Sequence, residues 1–186
     1  RQGAKLVWIP VDDDGVLHIE DFIKCLTPRT KLVAITHMSN ALGTVVPVKE
    51  MIRIAHERGI KVLVDGSQAA VHLPVDVRDL DADFYVMTGH KLYGPTGIGV
   101  LYGKEELLNS MRPFLGGGEM IRDVTMENVT YGDAPHRFEA GTPPIAEAIG
   151  LGAALNYMDT IGRERILAHE EGLRDYAHAQ LPKINA

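Results

Sequence analysis

Cysteine is nearly absent from this sequence. Cys25 is the single cysteine among 186 residues, so the chain cannot form an internal disulfide bond, and we expect a reducing, cytoplasmic location. No apolar run approaches the length needed to span a membrane, and no signal-peptide pattern opens the chain. The eight histidines are scattered, without H-E-x-x-H or paired Cys/His spacing. We therefore expect no metal site.

The sequence also lacks a basic block. Lys and Arg number 19 against 25 Asp and Glu, for a net charge of -6, and the two signs are mixed along the chain. This balance argues against a nucleic-acid surface. The G-x-G-x-x-G and P-loop motifs are missing, and so is an initiator methionine. We expect the chain to begin inside a longer protein, because Arg1 leads almost directly into a strand-like run.

Apolar runs alternate with helix-like segments along the chain. The predicted strands cover residues 6–11, 31–36, 62–65, 84–87 and 98–102. Several are apolar at consecutive positions, which is typical of strands covered on both faces of a parallel sheet. The predicted helices cover residues 18–26, 48–59, 104–111, a stretch after Pro144, and 162–181. We predict irregular structure at 113–144. The alternation predicts an α/β fold with a mostly parallel sheet and flanking helices.

Two residues able to do chemistry follow predicted strands. Lys91 lies in the segment 88–97, where glycines and a proline flank it, and Asp65 is the last residue of the segment 62–65. Ligands of such sheets bind at the carboxyl ends of the strands. A Lys amine can form an imine with an aldehyde, and a carboxylate can pair with a pyridinium nitrogen, which together serve pyridoxal phosphate (PLP) chemistry. Alternatively, Lys91 is a solvated strand-end residue and Asp65 a helix N-cap.

Four segments carry a resemblance to one enzyme group: residues 36–44, 64–69, 88–99 and 137–143. In this order they resemble the class V aminotransferase group of fold-type I PLP enzymes, and most closely the SufS-type cysteine desulfurases, also called selenocysteine lyases. The resemblance implies an aspartate aminotransferase-like large domain. Residues 1–144 would form part of this PLP-binding domain, and residues 145–186 would be helices that lead toward a small C-terminal domain absent from the chain.

The resemblance implies roles for five residues around the cofactor. Lys91 would form the imine, and Asp65 would keep the pyridine nitrogen protonated. Gln68 would donate a hydrogen bond to the ring hydroxyl oxygen. Thr88 and His90 would donate to the cofactor phosphate. The same sequence would result if Gln68 were an exposed glutamine at a helix start and His90 a structural histidine, so both alternatives stay open.

The resemblance also implies contacts beyond the cofactor. Asn40 would face the substrate carboxylate and the ring, although a turn residue would look the same. Thr142 would reach the phosphate in a neighbouring subunit, which implies a homodimer with shared active sites; simple loop packing is the alternative.

The activity implied is the conversion of L-cysteine, or L-selenocysteine, to L-alanine. The sulfur would pass to an enzyme cysteine and then to an acceptor protein for iron–sulfur cluster assembly. In this group that cysteine lies in the C-terminal part, and we predict that Cys25, on the apolar side of a helix, is not the nucleophile. Other class V activities (aminotransferase, kynureninase, epimerase) and a catalytically incomplete fragment remain alternatives.

Overall fold

The computed structural model describes residues 3–184. The first two residues of the predicted 1–144 unit and the last two of 145–186 therefore lie outside the described residues. Nothing in the structure tests that division, which stays a prediction.

A four-stranded sheet forms the centre of the molecule. Its strands, β1 (Leu32–Thr36), β2 (Lys61–Asp65), β3 (Phe84–Thr88) and β4 (Gly99–Gly103), lie in the order β1-β2-β3-β4. The first three run parallel, and β4 runs antiparallel to β3. The predicted mostly parallel sheet is therefore confirmed. The last strand reverses because the turn 89–98 is too short for a parallel crossover.

Helices flank the sheet, most of them where the sequence predicts them; the short helix Ala69–His72 was not predicted. They are α1 (Ile19–Cys25), α2 (Val48–His56), α3 (Ala69–His72), α4 (Glu105–Ser110), α5 (Ile145–Ile161) and α6 (Arg163–Gln180). Gly59, predicted to end α2, adopts a left-handed φ of 68° two residues beyond the cap at Glu57. Among residues 3–184, no helix has both the length and the apolar content to cross a bilayer.

Two hydrophobic cores lie against the sheet. The main core joins the buried positions of β1 and β2, which alternate along each strand, to the apolar faces of α1 and α2. The second core contains Leu92 and buried residues of α3, α5 and α6. Polar contacts reinforce it: Arg163 donates to the Ala70 carbonyl at 2.8 Å, and His72 Nδ1 lies 2.7 Å from a Glu170 carboxylate oxygen. The helix pair therefore packs directly on the sheet domain.

The predictions for residues 6–11 and 113–144 are corrected by the structure. Residues 6–11 form no strand; Leu6 and Trp8 are 74% and 82% exposed, and β-strand geometry needs a neighbour that this segment does not have among the described residues. Residues 113–144 contain a hairpin of β5 (Ile121–Val124) and β6 (Val129–Tyr131). Nearly all of its positions are exposed, so the sequence lacks the alternation of buried and exposed residues from which a strand is predicted.

A buried carboxylate ties four elements together at the amino end of the parallel strands. The Asp83 side chain is fully buried and accepts the Val62 N–H at 2.8 Å. Its carboxylate lies 2.7 Å from His56 Nε2, 3.5 Å from Lys104 and 3.6 Å from Lys61. Burial alone would raise the pKa of Asp83, but the hydrogen bonds from His56 and Val62 and the nearby positive charges outweigh burial and hold the pKa below its usual value.

The end of β2 passes over an aromatic ring. Tyr85 is fully buried, and its ring lies against Gly66, directly after Asp65. A Cβ at Gly66 would stand 1.9 Å from Tyr85 Cε1 and 2.2 Å from its hydroxyl oxygen. Only a residue without a side chain fits between the ring and the chain at this point.

We expect Asp83→Ala to lower the free energy of unfolding by about 3 kcal/mol, because it leaves His56 and two lysines without their buried partner. Urea denaturation measures the change. The control is Asp79→Ala, which removes a carboxylate from an exposed ion pair with Lys49 and should cost less than about 1 kcal/mol. Equal losses in both variants would contradict a special role for the buried group.

The difference in unfolding free energy between wild type and Asp83→Ala should also depend on pH. Because the pKa of Asp83 is lowered in the folded state, its contribution is present above the unfolded value of 3.8 and is lost as the pH falls through the folded pKa. The stability gap between wild type and Asp83→Ala should therefore hold from about pH 7 down to the unfolded value of 3.8 and narrow as the pH falls further. A gap that widens on acidification would contradict the lowered pKa.

We expect Gly66→Ala to destabilise the fold by about 2 kcal/mol or more, since the new methyl group collides with a buried ring that cannot move away. The matched control is Gly152→Ala in α5, where an added Cβ meets nothing within 4 Å and should be neutral or slightly stabilising. Thermal unfolding of both variants gives the comparison, and a Gly66→Ala protein as stable as the control would refute the packing argument.

Candidate active site

The carboxyl ends of the parallel strands meet at one edge of the sheet. Asp65 pairs with Thr36 of β1 on one side and with Val86 of β3 on the other. Thr88 stands two residues beyond Val86 in the same direction. With about 3.3 Å rise per residue and about 4.8 Å between strands, the Asp65 and Thr88 backbones lie about 8 Å apart.

Asp65 is held by its neighbours through the backbone while its carboxylate stays exposed. Its carbonyl accepts the His37 N–H at 2.9 Å, and one carboxylate oxygen accepts the Ser67 N–H at 2.9 Å. The second oxygen makes no hydrogen bond with another described residue. Asp65 is not the N-cap of α3, because that position belongs to Gln68, whose side chain makes no capping bond.

Lys91 ends a single 3-10 turn, Gly89–Lys91, that continues directly from β3. The next residue, Leu92, is only 2% exposed and is inserted into the core formed with α5 and α6. Tyr93 follows with a left-handed φ of 58°, an unfavourable conformation for a residue with a side chain. The half-buried Lys91 side chain forms no hydrogen bond or ion pair with the rest of residues 3–184.

The backbone around this turn is closely packed. The Gly89 N–H donates to the Ile98 carbonyl at 2.9 Å, and a Cβ at Gly89 would stand 2.8 Å from Ile98 Cγ2. A Cβ at Gly94 would stand 2.9 Å from the Gly89 carbonyl oxygen and 3.1 Å from Leu151 Cδ1 of α5. Both glycines are therefore needed for the approach that fixes the position of Lys91.

Thr88 and His90 lie on either side of Gly89 and contact each other. The Thr88 hydroxyl is 3.0 Å from His90 Nδ1, so this bond orients the imidazole and leaves its second nitrogen directed elsewhere. His90 is exposed. A hydroxyl and an imidazole at a strand end are donors suited to a phosphate group.

The remaining predicted residues lie on loops. Asn40 is exposed in the turn after β1, where the Ser39 hydroxyl accepts the N–H groups of Ala41 and Leu42 at 3.2 Å. It lies beside the Asp65 edge, because β1 is the neighbour of β2. Thr142 is exposed on the loop before α5 and makes no side-chain hydrogen bond within the described part of the chain.

Cys25 lies away from these strand ends. It is the last residue of α1, is partly buried, and its Sγ lies 3.6 Å from the Trp8 carbonyl oxygen. This placement supports the prediction that Cys25 is not a nucleophile. Across residues 3–184, no group of three or more His, Cys, Asp or Glu side chains is placed to hold a metal ion.

Sequence reasoning missed two buried polar residues behind this edge. His37 Nδ1 lies 3.0 Å from the Tyr85 hydroxyl, and their rings meet edge to face at 6.1 Å. The buried positions of β1, Val33 and Ile35, continue in steps of two to His37. From that alternation the burial of His37 could have been predicted.

The residues at this edge fit pyridoxal phosphate. An amine and a carboxylate oxygen, neither bonded to another described residue, match the aldehyde and the ring nitrogen of that cofactor. The hydroxyl and imidazole of Thr88 and His90 match its phosphate. This agreement rests on the chemistry of the donors and on the shared edge of Asp65 and Lys91.

Comparisons with known proteins identify the family and the fold. A probable cysteine desulfurase of Streptomyces coelicolor is 53% identical over 184 residues, which are 99% of this chain and 44% of that protein. The crystal structure of the cysteine desulfurase CsdA (S-sulfonic acid) from Escherichia coli has a TM-score of 0.94 at 43% identity, covering 98% of this chain and 46% of that one. The apo cysteine desulfurase of Thermococcus onnurineus NA1 has a TM-score of 0.90 at 43% identity, covering 96% and 45%.

This chain thus spans less than half the length of the relatives it matches. The similarity confirms the predicted fold class and the predicted family. The family described as aminotransferase class-V matches residues 1–186, the whole sequence, and the chain belongs to that family.

Proposed function

We propose that this chain is the PLP-binding part of a cysteine desulfurase that converts L-cysteine to L-alanine. The observation that carries the proposal is the placement of Lys91 and Asp65 at one edge of the sheet, each with polar atoms free of partners among the described residues. The names of the relatives favour this activity over an aminotransferase, a kynureninase or an epimerase.

Each residue at the edge would hold one part of the cofactor. The Lys91 amine would anchor it covalently, and the Asp65 carboxylate would accept a hydrogen bond from its protonated ring nitrogen. Gln68 would donate to the ring hydroxyl oxygen, while Thr88 and His90 would bind the phosphate. When bound, PLP supplies an electron sink for the negative charge that develops at the substrate α-carbon.

The Lys91 amine would also move the proton. In its unprotonated form, the Lys91 Nζ would accept the substrate α-proton and later return a proton to the product. Its short turn is fixed on both sides, by Gly89 on Ile98 and by Leu92 in the second core. A base held in this way keeps the same position through both transfers.

The sulfur step would need a thiol other than Cys25. That thiol would form a bond to the substrate sulfur as the substrate carbon–sulfur bond breaks, and a sulfur-acceptor protein would then receive the sulfur for iron–sulfur cluster assembly. The partly buried place of Cys25 on α1 supports assigning this role to a cysteine outside residues 1–186.

Two exposed residues would complete the site. Asn40, in the turn beside the Asp65 edge, would face the carboxylate of L-cysteine or L-selenocysteine. Thr142 would reach the cofactor phosphate of a second subunit in a cytoplasmic homodimer. Its exposure on the loop before α5 leaves the hydroxyl available for such a contact.

We expect Lys91→Ala to abolish alanine production in the full-length enzyme, a loss of about a thousandfold or more, because anchor and base are removed together. Borohydride reduction after PLP addition, followed by peptide mass spectrometry, should locate an adduct on Lys91 in the wild type and none there in the variant. Lys49→Ala, on α2, is the control and should keep both signals. Unchanged alanine production from Lys91→Ala would refute the proposal.

We expect Asp65→Ala to slow exchange of the substrate α-proton with solvent by about a hundredfold or more, since the ring nitrogen loses its negative partner. Proton exchange, followed by mass or by NMR, isolates this step from sulfur transfer. The exposed Asp79→Ala variant should exchange at the wild-type rate. Normal exchange in Asp65→Ala would show that the carboxylate has no part in the electron sink.

A further inference from the structure

A buried hydrogen bond crosses beneath the end of β2, on the face opposite the Asp65 carboxylate. It joins His37, directly after β1, to Tyr85 of β3, with 3.0 Å between Nδ1 and the hydroxyl oxygen. Strand β2 lies between β1 and β3 in the sheet. The two side chains therefore meet across β2, and the missing side chain of Gly66 leaves the space through which the hydroxyl reaches the imidazole.

The peptide between Asp65 and Gly66 is held from both sides at the same place. The His37 N–H donates to the Asp65 carbonyl at 2.9 Å, and the Gly66 N–H donates to the Val86 carbonyl at 2.8 Å. His37 is fixed in turn, because its own carbonyl accepts the Val46 N–H at 2.9 Å. The residue that forms the side-chain bond is thus also the residue that bonds the Asp65 backbone.

We propose that His37 and Tyr85 are a positioning pair for Asp65, which fixes the end of β2 so that the carboxylate meets the ring nitrogen of the bound cofactor. The inference rests on the proposed function and adds two residues to it. Neither side chain would touch the cofactor; both act through the backbone and the orientation of Asp65.

The ionisation state of the two side chains suits this role. Burial lowers the pKa of the His37 imidazole, and burial, with the negative charge of Asp65, raises the pKa of the Tyr85 hydroxyl to about 12. At neutral pH both groups are uncharged. A protonated histidine here would attract the Asp65 carboxylate and compete with the cofactor nitrogen, whereas a neutral pair holds the strand end without that competition.

Packing alone does not account for the hydroxyl. A phenylalanine would fill the volume of Tyr85 against Gly66 and would not require a partner, while a buried hydroxyl must be hydrogen-bonded to be tolerated. His37 is likewise almost fully buried. Both residues are polar where apolar ones would pack, and among the described residues their side chains hydrogen-bond only to each other.

The test uses the full-length enzyme loaded with PLP and compares single substitutions. Tyr85→Phe removes the hydroxyl and keeps the ring; His37→Leu removes the imidazole; His37→Asn places an amide close to the position of Nδ1 and can keep the bond. The matched control is Tyr102→Phe, on the β4 residue directly opposite Tyr85, whose hydroxyl makes no hydrogen bond with another described residue.

Two readouts respond to the ring nitrogen and its partner without turnover. One is the pH midpoint of the visible absorbance change, which follows the imine nitrogen and shifts with the charge on the ring; the other is the dissociation constant of PLP. We expect Tyr85→Phe and His37→Leu to move the midpoint by about half a pH unit or more and to weaken PLP binding about threefold or more. His37→Asn should lie nearer to wild type, and Tyr102→Phe should match it.

Two results would overturn the pair. One is a Tyr85→Phe enzyme that melts at a lower temperature but keeps the wild-type midpoint and PLP affinity, which is the behaviour of a merely structural residue. The other is a His37→Asn enzyme shifted as far as His37→Leu. If borohydride gives no adduct on Lys91 of the wild type, the proposed function is wrong, and the positioning role of the pair is wrong with it. If the adduct forms on Lys91 but Tyr85→Phe keeps the wild-type midpoint, only the positioning role is wrong.

Discussion

The parallel register of β2 with its two neighbours is the constraint on which the site depends. A shift of one residue would send every side chain to the opposite face of the sheet, placing Asp65 in the core and Val64 in solvent. The register is fixed chiefly by burial, since Val62 and Val64 are fully buried. Asp83 strengthens it at the amino end, where its carboxylate accepts the Val62 N–H. The position of Asp65 at the carboxyl end of β2 is thus set by apolar packing along the strand and by the buried charge of Asp83 at its amino end.

Close backbone approaches then convert an aligned edge into a site. Gly66 allows the Tyr85 ring beneath β2, and Gly89 allows the turn to fold back on Ile98. In each case a methyl group would collide with atoms that cannot move away. The polar residues at the edge carry the chemistry, but these glycines determine where the polar residues stand.

Much of this arrangement was predictable from the sequence. The strands at 31–36, 62–65, 84–87 and 98–102 and the helices other than α3 followed from the sequence, because apolar runs and helical periodicity are strong patterns. The four residues of α3 are too few to show a helical period. The places of Lys91 and Asp65 followed from the motifs that flank them. The run 6–11 failed, since an apolar sequence shows strand propensity but not whether a partner strand is available. The hairpin of β5 and β6 escaped notice because exposed strands carry no alternation.

The bond between His37 and Tyr85 escaped prediction for a different reason. The two residues stand 48 positions apart, and neither has an unusual local setting. Only the pairing of β1, β2 and β3 brings them together, so their relation exists in the fold and not in any window of the sequence.

Leu92 links the cofactor turn to the far end of the chain. It follows Lys91 directly and is buried with Leu151, Met158 and Ile166 of the C-terminal helix pair. Undocking of that pair would remove one of the two supports of the lysine's turn, so helix docking and the position of Lys91 are coupled. A ligand held by Lys91 must therefore stabilise the docked helices by the same amount that the docked helices strengthen its binding. Hydrogen exchange in α5 and α6 would in this way report on occupancy of the site.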